Sequence, residues 1–461
     1  MAQPELDQAS SVGESADELD GLPIPRDSKI RYRVLAAACS LAVLAYLQRV
    51  GFATAAPELK AQIGLTDREL SHLMAAFMLA YGLVEIPCGL LGDKLGVRHV
   101  LVALVVGWSV LTGATGWVLW LPVKTAWPFL FLLGLRALFG VFQGGLFPLT
   151  SRLLADWMPV SERGLAQGCL WTSSRLGGAL APLFVVRLFG WVGIGQLAFW
   201  VLASVGFVWC AAFWPWFKGT PDLMPGVNST ELKLIDSGRT DRGHAAHGAM
   251  PWGLLLGSRS AWCLCLMYGA LALTGNFFIT LLPNYLRTQR HLSSETASRV
   301  AAVPLACGIV GCILGGFLSD QILRRSGSRR WGRRVVGSFG LALGAVALAA
   351  TTQVYDPLPL ALLLGLAFFG NDLAMGPAWA ACADLGERYA GTLGGAMNMT
   401  GSIGGALGAL MVGRYLERGQ ATFLFLLLAS SYAAGSLLWW GVDVSKTLVK
   451  EQPGSVEMEI G

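Results

Sequence analysis

Apolar residues along this chain do not alternate with polar ones. They come in runs of about 20, the length that carries an α-helix across a bilayer's hydrocarbon layer. Six such runs fall near 34–55, 70–91, 100–121, 128–155, 164–188 and 193–216, and six more near 260–283, 297–320, 335–352, 358–382, 390–412 and 420–441. Between the two sets lies the longest internal polar stretch, Lys218 to Met250, with Pro221, Pro225, Asp236 and His244 and one short helical pattern. The pattern predicts an all-α polytopic membrane protein, twelve transmembrane helices in two pseudo-symmetric six-helix bundles. The expected organisation is a disordered tail (1–28), a first bundle (29–217), a linker (218–256), a second bundle (257–445) and a short tail (446–461).

Composition agrees with this reading. The 461 residues are 54% hydrophobic and only 14% charged, against about 25% charged in a typical soluble domain. Met1 to Pro25 is acidic and polar with no apolar core, so it does not read as a signal peptide. The nine cysteines fall almost entirely inside apolar runs, and none has metal-site or disulfide-framework spacing. They read as small apolar fillers. No metal and no cofactor is expected. The net charge of +5 does not indicate nucleic acid, because the basic residues gather in loops rather than on one helix face. Lys29, Arg31 and Arg33 precede the first run, Lys94 and Arg98 follow the second, and Arg324 to Arg334 crowd a later connection on the same side. By the positive-inside rule these loops, the linker and both termini are cytoplasmic. Asn228-Ser-Thr fits a glycosylation sequon but lies on that side, so no glycan is expected.

Two loops share a motif. Gly89-Leu-Leu-Gly-Asp93-Lys-Leu-Gly-Val-Arg98 closes the second run, and Gly316-Phe-Leu-Ser-Asp320, with Arg324, Arg325, Arg333 and Arg334 beyond it, closes the eighth. Repetition at half-chain spacing marks two related halves. The motif resembles the signature loop between spans two and three of the major facilitator superfamily. That resemblance implies alternating access between two bundles, with Asp93, Arg98 and Asp320 in charge contacts that hold one face shut. Asp156, Glu162 and Arg163 read as a further latch of the same kind.

Charge inside an apolar run costs about 2.5–3.5 kcal/mol at a bilayer centre, so each instance needs a reason. Five stand out: Arg49, Glu85, Arg136, Arg175 and Asp372. A guanidinium cannot shed its charge, and its planar fork matches a carboxylate or phosphate. Three arginines in one half therefore predict a water-filled cavity that attracts an organic anion. Arg175 lies roughly 16 Å into its run at about 1.5 Å per residue. Arg136 and Gln143 are seven apart and share one helix face. The alternative for Arg136 is a strut, paired with a helix end or with Glu85.

The stretches Tyr46-Leu-Gln-Arg49, Tyr81-Gly-Leu-Val-Glu85-Ile-Pro-Cys-Gly89, Pro225-Gly-Val-Asn228-Ser-Thr-Glu231-Leu and Thr280-Leu-Leu-Pro283-Asn-Tyr285-Leu286 together resemble the anion:cation symporter branch. That branch includes vesicular glutamate and bacterial sugar-acid carriers. The resemblance implies that Arg49 holds the substrate carboxylate, that Arg136 belongs to the coupling network, and that Tyr81 and Asn398 line the cavity. Two departures matter. Sugar-acid carriers usually have Asp where this chain has Gln48 and Glu where it has Gln143, and Gln does not titrate. Moving an anion inward against the membrane potential costs about 2.3 kcal/mol per 100 mV for each charge, so uphill uptake needs a coupling cation or an exchange partner. Setting Pro148 against Pro377 places Asp372 opposite Gln143 and makes Asp372 the first coupling candidate, with Glu85 second. Asn276, Asn371, Asn398 and Ser402 offer groups to substrate hydroxyls or to neighbouring helices, and Trp379 a ring for stacking or packing.

The expected function is a cation-coupled secondary transporter of a small organic anion (proton or sodium), multi-pass in a bacterial inner membrane and monomeric. Proton-driven export of drugs or metabolites, and anion exchange or facilitation without protons, are the alternatives, though an arginine-rich cavity disfavours cationic cargo. An enzyme is not expected, because the five histidines are scattered and only His244 and His247 lie close together.

Overall fold

Helices α1 (Ile30–Ile63), α2 (Asp67–Leu95), α3 (Val97–Thr115), α4 (Trp127–Gly144), α5 (Leu146–Trp157), α6 (Arg163–Val192) and α7 (Gln196–Trp216) form the first bundle. A linker helix, α8 (Ser229–Asp236), and a short α9 (Trp252–Leu256) precede the second. That bundle comprises α10 (Arg259–Asn276), α11 (Leu282–Thr288), α12 (Ser294–Ser326), α13 (Arg329–Ala350), α14 (Pro357–Leu373), α15 (Met375–Gly386), α16 (Ala390–Glu417) and α17 (Ala421–Leu438). The computed structural model describes residues 27–122, 125–193, 195–237 and 252–448. Most of the expected N-terminal and C-terminal tails, and His244 and His247, lie outside the described residues.

Eleven segments among the described residues are long and apolar enough to cross a membrane. One of them, Pro357–Leu416, is 60 residues long and doubles back between α15 and α16, which makes twelve crossings. The helices run longer than the apolar windows: α1 has 34 residues and α12 has 33, so both project beyond a hydrocarbon core of about 30 Å. Local sequence explains their limits. The α2 start is a reciprocal capping box between Thr66 and Glu69.

Two crossings break in the same way. A proline ring clashes with the carbonyl four residues earlier and removes one helical hydrogen bond. Pro148 does this to Gly144, where α4 ends, and Pro377 does it to Leu373, where α14 ends. The crossings resume as α5 and α15. Gln143 and Asp372 thus occupy equivalent places just before the two breaks, as the alignment of the prolines predicts. A third irregularity, the π-turn Phe277–Leu281, joins α10 to α11.

The halves meet through α2 against α16 and α6 against α12. Glycine makes the approach possible: a Cβ on Gly89 would lie 2.1 Å from the Gly391 carbonyl oxygen, and one on Gly316 would lie 2.2 Å from that of Gly164. The linker is docked rather than slack. Buried Glu231 of α8 accepts the backbone amides of Ile30 and Arg31, both at 3.0 Å, and so caps the start of α1. The close glycine contacts lie toward the face that carries this linker, called the linker face below.

Candidate anion-binding site

The linker face is sealed by paired devices. Asp93, at the end of α2, accepts the amides of Gly391 (3.1 Å) and Thr392 (2.7 Å) and the Thr392 hydroxyl (2.6 Å), at the N-terminus of α16. Asp320, at the end of α12, accepts the amides of Gly164 (3.0 Å) and Leu165 (2.7 Å), at the N-terminus of α6. In each case a carboxylate from one half caps a helix of the other, where free N–H groups and the helix dipole favour negative charge. Arg333 reaches Asp320 at 2.5 Å and Asp384 at 2.9 Å, and Asp384 also takes Arg163 at 2.7 Å. Arg152 stands 3.6 Å from Asp93 and bonds the Glu387 carbonyl across the halves.

This differs from the sequence reading in two places. Arg98 does not join the interface: it donates to the Trp214 carbonyl at 2.7 Å and lies over the Trp214 ring, within one half. Asp156 pairs with Arg152 rather than with Arg163. Arg152 and Asp384 were missed because single charges at helix ends resemble ordinary boundary residues. Their contacts across the halves, Arg152 to Glu387 and Asp384 to Arg163, join positions 235 and 221 apart.

Above this seal lies an aromatic floor built from both halves. Phe147 and Trp171 stack at 4.3 Å, and Trp379 leans on Trp171 (5.7 Å) and on the edge of Tyr268 (5.8 Å). Trp379 also donates to the Tyr268 hydroxyl at 3.2 Å and is only 1% exposed. In this conformation its ring belongs to the floor.

The mid-depth charges sit next. Arg175 of α6 forms a two-pronged pair with Asp372 of α14, Nε to Oδ2 at 3.0 Å and Nη2 to Oδ1 at 2.9 Å. Asn371 donates to Asp372 at 2.8 Å and is held in turn by the Tyr432 hydroxyl at 2.9 Å. Arg175 is therefore committed across the halves and is not a free anion ligand, contrary to the expectation from its depth alone. Glu85 of α2 is fully buried and also crosses the halves. It accepts from Asn398 Nδ2 at 2.5 Å and from Ser402 Oγ at 3.2 Å, both on α16. Glu85 thus takes neutral donors, whereas Asp372 takes a guanidinium.

Arg49 and Arg136 complete the site. Arg49 donates through Nε to Gln143 Oε1 at 2.7 Å, and Gln143 is anchored by the Ala45 carbonyl at 3.0 Å. Its guanidinium lies among the rings of Tyr46 (5.0 Å), Tyr81 (5.0 Å) and Phe77 (5.2 Å), and its Nη2 has no hydrogen-bond partner. Arg136 lies two turns from Gln143, on the side away from the linker face. It is surrounded by Phe52 (4.4 Å), Phe77 (4.8 Å) and Phe139 (4.9 Å) and has no ion-pair partner among the described residues. It is thus not a strut to Glu85. Cation–π contacts of this kind contribute up to about 2 kcal/mol each when desolvated, so they hold these charges without neutralising them. The rings are what the sequence reading overlooked: phenylalanines inside apolar runs carry no signal of their own. Arg49, Tyr46 and Tyr81 stay part-exposed on the side of the floor away from the linker face. Asn276 bonds the Gly405 carbonyl at 3.1 Å and stands in the second half, immediately before the π-turn.

Two helical bundles with mid-depth cations that have no ion-pair partner among the described residues, shut on one face by matched helix caps, define a membrane transporter. The chain belongs to the Major Facilitator Superfamily, whose family profile matches residues 38–409. It is similar to a protein of Cupriavidus necator named "Probable sulfoacetate transporter SauU", with 34% identity covering 89% of this chain and 93% of that one. It is also similar to a D-galactonate transporter of Escherichia coli, with 30% identity over 87% of this chain and 93% of the relative. Among solved structures, a proton:xylose symporter superposes with a TM-score of 0.69 at 13% identity, covering 92% and 98% of the two chains. A human organic anion transporter superposes at 0.66 and 15% identity, covering 89% and 99%. These structures share the fold. The protein is a multi-pass transporter, not an enzyme.

Proposed function

We propose that this protein carries a small organic anion, a carboxylate or sulfonate, across a bacterial inner membrane by alternating access. One observation carries the reading: Arg49, part-exposed as a residue, keeps a buried Nη2 with no hydrogen-bond partner inside a cradle of three rings. A guanidinium so placed offers a ready fork to an anionic head group, and the rings exclude water around it. Similarity to carriers named for sulfoacetate and D-galactonate supports the class of cargo. With the linker face cytoplasmic, as the positive-inside rule places it, the cavity opens outward in this conformation.

Coupling follows from the two mid-depth carboxylates. Asp372 is paired with Arg175 across the halves and serves as a latch between them. Glu85 has only neutral donors and loses both when α2 and α16 separate, so it is the proton carrier. Anion and proton therefore move inward together. The test is a thermal-shift screen of carboxylates and sulfonates, sulfoacetate and D-galactonate among them, followed by counterflow of each stabilising anion in proteoliposomes. Wild type exchanges labelled anion and Arg49→Ala does not. Undiminished counterflow by Arg49→Ala for every anion rejects the proposal.

A further inference from the structure

Among the described residues, no carboxylate forms an ion pair with Arg49 or Arg136. Arg49 and Arg136 come from different helices, yet both lie against one ring, that of Phe77, at 5.2 and 4.8 Å. The group nearest to neutralising Arg49 is Gln143, an amide, at 2.7 Å. Arg136 is 4% exposed and has three ring faces against it, its Nε without a partner among the described residues. The third arginine is already balanced by Asp372. Glu85 bonds to Asn398 and Ser402 rather than to a guanidinium, and it carries no charge once protonated. With Glu85 protonated, the site thus holds two positive charges that no ion pair balances, in a setting where like charges repel strongly and aromatic faces soften the cost only in part.

We propose that the cargo is a dianion: a small molecule with two anionic groups on a short spacer, one on Arg49 and one on Arg136, with Phe77 between the two arginines. This rests on the reading of the site as an organic-anion site and adds the valence of the occupant. A monoanion would leave one guanidinium buried and unmatched. A dianion satisfies both, and its short spacer lies along the apolar rings. Gln143 is then the residue that sets the valence, because a carboxylate in its place would supply one of the two negative charges from the protein itself.

Equilibrium titration of purified full-length protein decides the matter, at a pH where both acid groups of each dianion are ionised. Malonate, succinate and sulfoacetate serve as dianions, with lactate, methanesulfonate and D-galactonate as monoanions. Wild type binds at least one dianion about tenfold tighter or more than any monoanion, the worth of one further charge-assisted contact. Gln143→Glu brings the two classes to near parity, while the neutral Gln143→Met keeps the preference. Arg136→Met removes the preference, so that each dianion binds no tighter than the monoanions do to the same variant. Monoanions that bind wild type as tightly as every dianion, or a preference untouched by Gln143→Glu, overturn the dianion proposal and leave the organic-anion site standing. Binding of no anion of either class by folded wild type instead overturns the reading of the site itself. Should Arg136→Met fail to fold, the Gln143 pair still decides.

Discussion

At the scale of single residues, the site separates charges that are spent from charges that are available. Asp372 and Arg175 satisfy each other, and removing either partner of such a buried pair costs about 3–5 kcal/mol. Arg49 and Arg136 have aromatic company and little else. The two carboxylates should answer differently to mutation. Glu85→Gln is expected to transport at a rate no longer accelerated by external acid, with anion binding retained. Asp372→Asn should slow transport at every pH while keeping the acid response. Initial rates in proteoliposomes over a range of external pH check both, and acid-dependent uptake by Glu85→Gln would reassign the proton site. The five mid-run charges were legible in the sequence because charge inside an apolar run is rare. Their pairing was not, since Arg175 and Asp372 meet only through a fold that brings the two halves together. Trp379 shows the same limit: its place in the floor depends on Phe147 and Trp171 from the other half.

At the scale of elements, prolines, glycines and helix ends do the positioning. Pro148 and Pro377 break two crossings at equivalent places, and this was readable because proline's effect is local. The capping roles of Asp93 and Asp320 were readable only in part. The loop motif marks the residues, but the helix each one caps belongs to the other bundle. Arg98 misled for a related reason: it shares the motif with Asp93 but points to Trp214. Backbone contact at Gly89 yields a prediction of its own. A side chain there would meet the Gly391 carbonyl at 2.1 Å, so Gly89→Val should prop the linker face open. Spin labels on the ends of α2 and α16 at that face should report longer distances in Gly89→Val than in wild type. Unchanged distances would mean that the closed face tolerates the extra carbon atoms.

At the scale of the molecule, two bundles close on one face, where α8 of the linker docks, and leave the part-exposed Arg49 beyond that seal. Twelve crossings, the split into halves and the class of transporter were written in the spacing of apolar runs and a repeated loop motif. The valence of the cargo was not, because it depends on which arginines remain unpaired after folding. The central claim is that an anion is held at Arg49. A structure of the protein with a sulfonate-bearing anion, its sulfur located by anomalous scattering, tests this most directly. The expected result places an anionic oxygen within hydrogen-bond distance of Arg49 Nη2, beside the rings of Tyr46, Tyr81 and Phe77. An anion seated elsewhere, with Arg49 still unpaired, would contradict it.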